Sequence, residues 1–265
     1  MTGIEMAPQA SARGVLARIN PVAKLAASAL IALPLVFTLD WLSAATAVVL
    51  ELALLPLAGW SARTFWRRTW PVWLAAPLTA VTIALYGQSS GTVYAQWWMV
   101  HISAGSLELA FATAVRVVAI ALPSVVLFAD VDPTDLADGL GQVWHLPARF
   151  VLSALAGIRL AVLFIDDWRT LEHARRARGV ADWGRMRRLA GMAFALLVLS
   201  VRRGSQLATA METRGFGAPV PRTWARESRF AGPEWATLAV GAVISATAVT
   251  VALAVGTWNY IIGPN

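Results

Sequence analysis

Along the first 129 residues, apolar runs of membrane-spanning length alternate with short polar breaks, and the pattern returns at the end of the chain. A helix that crosses a bilayer needs about 20 mostly apolar residues. Five segments meet this, at approximately 23–39, 41–60, 70–86, 108–129 and 235–257. The third is short, and its Pro71 suits a first helical turn, where a missing N–H costs nothing. Between 130 and 233 the pattern changes. Apolar stretches such as "VLSALAGIRLAVLFI" and "LAGMAFALLVLSV" are interrupted or flanked by Arg159, Arg202 and Arg203 and run into basic ends. Two long helices are expected here, near 147–178 and 184–214. The first is about 46 Å long from the helical rise per residue, more than a bilayer core. Arginine within them favours tilted amphipathic helices along a membrane face, with a seven-span count as the rival.

The expected fold is therefore an all-α polytopic integral membrane protein with about five spans and two long amphipathic cytoplasmic helices. Residues 1–129 form a membrane region of four spans, 130–233 a cytoplasmic region, and 234–265 a fifth span with an external tail. Loop charge gives the orientation. Arg13, Arg18 and Lys24 precede the first span, and Arg63, Arg67 and Arg68 join the second to the third. The connections near Asp40 and across 87–107 carry no Lys or Arg. Positive charge stays inside, so the N-terminus is expected in the cytoplasm. Trp97 and Trp98 in the outer loop are expected as interface anchors. The first residues show no apolar core before a small-residue cleavage site, and they read as a cytoplasmic lead-in.

Composition agrees. Hydrophobic residues make up 58% of the 265 and charged residues 14%, with a mean hydropathy of +0.61, too apolar for an ordinary soluble domain. The net charge of +7 comes almost wholly from arginine, since Lys24 is the single lysine. Such a balance permits nucleic-acid binding in general. Here the arginines alternate with membrane-length apolar blocks, and a membrane protein accounts for both features. Cysteine is absent, which excludes disulfides and thiolate metal sites.

Fifteen of the 21 arginines fall between 130 and 233. The first long helix finishes Ala177-Arg178-Gly179 and the second Thr213-Arg214-Gly215, 36 residues apart. Glycine just past a helix end adopts the left-handed conformation that stops it. Arginine in the last turn complements the negative end of the helix dipole and offers a planar fork for a carboxylate. One such ending is ordinary capping. Two on consecutive helices suit docking into a soluble partner, with Arg175 and Arg176 as supporting charges on partner acids or anionic lipid.

These endings resemble the signature of the transmembrane T component of energy-coupling factor transporters, the EcfT/CbiQ/BioN family. "NPVAKL" at 20–25 is similar to the family's Asp-Pro-Arg-Thr-Lys-Leu entry to the first span, and "DPTDLADGL…LPARFVLSALAGIRL" to its lead into the coupling helices. The resemblance runs from about residue 20 to 217. Thr213 stands where the family usually has alanine, and Asn20, Val22 and Ala23 alter the entry motif. The resemblance implies a non-catalytic subunit of an ABC-type importer for vitamins or transition-metal ions, in the cytoplasmic (inner) membrane. Its partners would be two cytoplasmic ABC ATPases, a membrane-embedded substrate-binding S component and the bilayer, with no nucleic acid. Arg178 and Arg214 would each enter a groove on one ATPase. Leu155, Ile158, Val162 and Leu196 would face the S component.

Other constellations carry rival readings. Asp130, Asp132, Asp135 and Asp138 invite a metal-dependent membrane enzyme, but Asp138-Gly139 is followed by "LGQVW", which breaks the phospho-alcohol transferase pattern. The plainer reading has Thr134 or Asp135 capping a short helix. A third alternative is a membrane scaffold with lipid-binding basic helices. Glu51 and Arg116 lie at membrane depth, where ionisable residues are costly unless paired or functional, so an intramembrane ion pair is expected. No phosphate-cradling glycine loop occurs, so nucleotide would bind another chain, and neither a cofactor nor a metal is expected here.

Overall fold

The computed structural model describes residues 15–38, 40–87, 90–97, 100–179, 184–218 and 223–257. Helices dominate: α1 (Pro21–Phe37), α2 (Trp41–Leu54), α3 (Ala62–Tyr86), α4 (Ala104–Phe128), α5 (Pro133–Gln142), α6 (Ala148–Ala177), α7 (Arg185–Thr213) and α8 (Gly232–Val255). A short antiparallel hairpin of β1 (Val93–Trp97) and β2 (Val100–Ser103) links α3 to α4. Among the described residues the fold is all-α apart from this hairpin. Its strands are rich in β-branched and aromatic residues that favour pleated backbone. Trp97 ends β1, and Trp98 lies outside the described residues.

Side-chain caps set most helix starts. The Asp40 carboxylate accepts from the Ser43 N–H at 2.8 Å and from the Ser43 hydroxyl at 2.6 Å. Ser103 and Ser106 cap α4 reciprocally, at 3.2 Å and 2.9 Å. The third span departs from expectation. Ser61 accepts from the Thr64 N–H at 3.3 Å, so α3 begins at Ala62 and Pro71 lies inside it rather than in its first turn. Pro71 and Pro77 both sit within α3, where proline is tolerated in a membrane helix if the freed carbonyls find other donors. The segment expected as one helix over 41–60 stops at Leu54 and tightens into a 3-10 turn, Leu55–Ala58, closed by Gly59 at φ 71°.

Two compact units result, one from the chain up to Leu136 together with the chain from Ser228 onward, the other from Ala137–Glu227. In the first unit α3 packs on α4, α1 on α8 and α4, and α2 on α4 and α8. One core cluster joins Ile31, Leu35, Ala44, Ala47, Ala119, Ile244 and Ala248, and a second joins Phe65, Val72, Ala76, Val118 and Leu122. Alanines at these contacts let helices approach closely, which is how membrane helices gain packing when lipid is as apolar as leucine. The starts of α1 and α8 are tied together. Glu234 accepts from the Asn20 N–H at 3.1 Å and from the Ala231 N–H at 2.9 Å. The Asn20 amide donates to Ser228 Oγ at 2.8 Å and to the Arg229 carbonyl at 3.0 Å, while its oxygen caps α1 through the Val22 N–H at 3.0 Å. Arg68 near the start of α3 pairs with Asp130 beyond the end of α4 at 2.9 Å. Those contacts set the starts of α1 and α8 side by side, and likewise the start of α3 and the end of α4.

Among the described residues, α3, α4, α6 and α8 are long and apolar enough to cross a membrane, while α1 and α2 are apolar but shorter. The sequence reading placed α6 outside the spanning set. Its polarity divides along the axis: Val151 to Ile165 are mostly apolar, and charge gathers from Asp166 onward.

Packing between α1 and α8 supplies a test. A Cβ on Gly241 would lie 3.1 Å from the Ala27 carbonyl oxygen and 3.2 Å from its Cα, both backbone atoms. Gly241→Leu is expected to destabilise the fold by about 1–3 kcal/mol, seen as a lower melting temperature in detergent. An unchanged melting temperature would exclude this helix contact.

Candidate functional site

Both arginine endings are formed as helix stops. At the end of α7, the Gly215 N–H donates to the Glu212 carbonyl at 2.9 Å and the Phe216 N–H to the Met211 carbonyl at 2.9 Å. These two bonds are the Schellman pattern, which needs a left-handed residue directly after the cap residue. Gly215 supplies it at φ 76°. The end of α6 repeats the first bond, from the Gly179 N–H to the Arg176 carbonyl at 3.0 Å, with Gly179 at φ 67°. A Cβ would meet nothing within 4 Å at either glycine, so backbone conformation rather than space selects glycine there. Ala177, Arg178, Gly179, Thr213, Arg214 and Gly215 are all exposed. Each guanidinium stands at the tip of a helix, open to a partner.

The two tips are related through a clamp that sequence reading missed. Asp167 of α6 receives two hydrogen bonds from Arg203 of α7, one of them Nη2 to Oδ1 at 3.1 Å. Such a forked, charge-assisted pair fixes geometry as well as energy. Closer to the turn joining the helices, the Arg175 guanidinium lies over Gly191, 3.1 Å from where a Cβ would stand. From 167 to 175 α6 runs one way, while α7 runs back from 203 to 191, so the helices are antiparallel. Asp167 and Arg203 are 36 residues apart, the same offset as Arg178 and Arg214. Each tip therefore lies 11 residues beyond the clamp, about 16 Å along its own helix and in opposed directions. Along the helix axes their separation is at most about 33 Å.

The expected supporting charges are engaged within this unit. Arg176 pairs with Glu172 one turn back at 2.6 Å, and Arg175 covers Gly191. Of the four apolar residues expected on a partner face, Leu155 is a correction. It is buried with Ala137 and Val151, against Leu140 of α5. Ile158 and Val162 are exposed and Leu196 half-buried. The open apolar surface is wider than anticipated, adding Phe150 and Ile165 on α6 and Phe194, Leu197, Val198 and Val201 on α7. Exposed apolar area on this scale marks a partner or lipid contact.

The aspartates of 130–138 are held by local structure. Asp130 pairs with Arg68, and Asp132 accepts from the Thr134 N–H at 2.6 Å. The cap is thus Asp132, not Thr134 or Asp135, because a carboxylate preceding Pro133, which has no N–H, reaches the first free N–H beyond it, on Thr134. Among the described residues no cluster of three His, Asp or Glu could hold a metal ion. The expected ion pair between Glu51 and Arg116 is not made. Neither Glu51 oxygen, nor Nε and Nη2 of Arg116, has a hydrogen-bond partner among the described residues. The carboxylate whose field reaches Arg116 is Asp40, at the other end of α2. Glu51 lies 11 residues beyond Asp40, about 16 Å further along that helix.

The clamp carries a prediction. Asp167→Asn is expected to raise amide exchange rates in the neighbouring turns of α6 and α7 by about 10-fold, as loss of a charged hydrogen bond implies. Unchanged exchange there would show that the helices hold together without it.

Residues 12–223 match the family model described as CbiQ, cobalt transport protein. Over 195 residues the chain is 28% identical to the energy-coupling factor transporter transmembrane protein EcfT of Limosilactobacillus fermentum, covering 69% of this chain and 73% of that one. The protein of the same name from Lactococcus lactis subsp. cremoris is 26% identical over 229 residues, covering 82% and 85%. That of Lacticaseibacillus paracasei is 29% identical over 196 residues, covering 69% and 72%. The family match takes in most of the chain and both arginine endings, and this multi-pass membrane protein belongs to the CbiQ/EcfT family of energy-coupling factor transporter transmembrane components.

Proposed function

We propose that this chain is the energy-coupling subunit of an ABC-type importer for vitamins or transition-metal ions. Arg178 and Arg214 each dock one cytoplasmic ATPase by pairing with acidic side chains in a groove. Residues 137–227 form the coupling region, with α6 and α7 lying along the cytoplasmic face and the N-terminus on the same side. Movement of the ATPases on nucleotide binding passes through the Asp167–Arg203 clamp to the apolar faces of α6 and α7. Those faces, at Ile158, Val162 and Leu196 among others, bear on a substrate-binding S component. ATP hydrolysis belongs to the partner chains.

The observation that carries this reading is the pair of exposed Arg-Gly helix ends, each 11 residues beyond one clamp. Two ATPases that move together need two comparable handles, and equal arms provide them. A cytoplasmic site also accords with the basic loops before α1 and α3.

Co-purification from detergent tests it. Arg178→Ala or Arg214→Ala is expected to weaken ATPase retention by about 2–5 kcal/mol, the cost of cutting one side of a buried charged pair at an interface. The double change is expected to release both ATPases, and Arg→Lys to rescue only in part, since the fork is lost. Full retention and normal uptake by the double variant would overturn the assignment.

A further inference from the structure

Glu51 has a setting that energy coupling does not use. It is 7% exposed, and both carboxylate oxygens lack any hydrogen-bond partner among the described residues. It lines an open-sided cavity of about 370 Å³ among α1, α2, α4 and α8, with walls that include Ile31, Leu54, Leu122, Val126 and Ile244. Thr237 is the other polar side chain on that lining. A carboxylate held in such surroundings is costly unless a cation, a donor or a proton of its own meets it. Helix packing alone gives no reason for a glutamate here, since a leucine would fill the position without that cost.

We propose that this cavity binds a hydrophobic primary amine, its ammonium group on Glu51 and its hydrocarbon body against the apolar walls. Two vacant acceptor oxygens call for at least two N–H donors on one head group, which an ammonium has and an alcohol lacks. The charge requirement is met at the same point, because an ammonium–carboxylate pair restores neutrality inside the low-dielectric wall. The body must be apolar and compact, since among the described residues the walls offer no polar contact besides Thr237. An aminophospholipid carries the same head group but brings a phosphate, and among the described residues the lining holds no Lys or Arg to receive one. The observations therefore favour a free amphipathic amine.

The test uses the full chain in phosphatidylcholine nanodiscs with radiolabelled 1-adamantylamine, read by scintillation proximity against empty discs. Saturable binding is expected, with competition by unlabelled amine and not by the isosteric 1-adamantanol or 1-adamantanecarboxylate. Glu51→Gln is expected to weaken binding by about 10- to 100-fold, the range of a charge-assisted hydrogen bond, while melting no lower than the wild type. Ala236→Phe, which narrows the cavity and keeps the carboxylate, is expected to weaken binding as well. Equal binding by the wild type and Glu51→Gln, equal competition by the alcohol, or no saturable binding to the wild type would overturn the proposal. Displacement by phosphatidylethanolamine would assign the site to a lipid head group and overturn the free-amine reading. None of these outcomes bears on ATPase retention through Arg178 and Arg214.

Discussion

The membrane unit depends on the joining of its first and last helices. It is discontinuous in sequence, and α8 can complete it only by returning after the long excursion of Ala137–Glu227. The hydrogen bonds among Asn20, Ser228, Arg229 and Glu234 make that return specific. They satisfy N–H groups at two helix starts, which otherwise have no partner within their own helices. Glu234 also sets a negative charge at the positive end of α8. Gly241 against Ala27 continues the same contact deeper along the pair. Excursions of any length are compatible with a bundle whose exit and re-entry are anchored in this way.

The link also gives a physical sense to a departure in the entry motif. An aspartate at position 20 could cap α1 as Asn20 does, but it has no N–H to donate. The Asn20 amide donates to the Arg229 carbonyl while its oxygen caps the helix. One side chain therefore serves both helices. Polar residues at these starts are worth more than their number suggests, because each buried group they satisfy would otherwise carry a desolvation penalty.

Periodicity and hydropathy made the helices legible. The ends of α6 and α7 fall within a residue of expectation, since basic residues and glycine mark them plainly. Prolines misled at Pro71, where Ser61 takes the cap and the helix passes through. Neither the hairpin of β1 and β2 nor the 3-10 turn after Leu54 was legible, because local tightening leaves little trace in an apolar run. The arginine tips were readable from local chemistry. The Asp167–Arg203 clamp was not, since it depends on two helices meeting at a particular height. Depth misled again at Glu51 and Arg116, which share a membrane interior without sharing a level. Leu155 fell to the same problem of facing, taken up by α5 instead of an outer surface.

Equal spacing from clamp to tip has a consequence for how such a chain can change over time. Inserting one residue in either arm would swing its guanidinium by about 100° and advance it by about 1.5 Å. A helix cannot absorb that phase error, and the matching arm would no longer be its mirror. Only coordinated changes in both arms, or shifts close to whole turns, preserve the aim of the two forks. The interval between clamp and glycine should thus drift far less in length than the loops around it, whatever becomes of the side chains along the way.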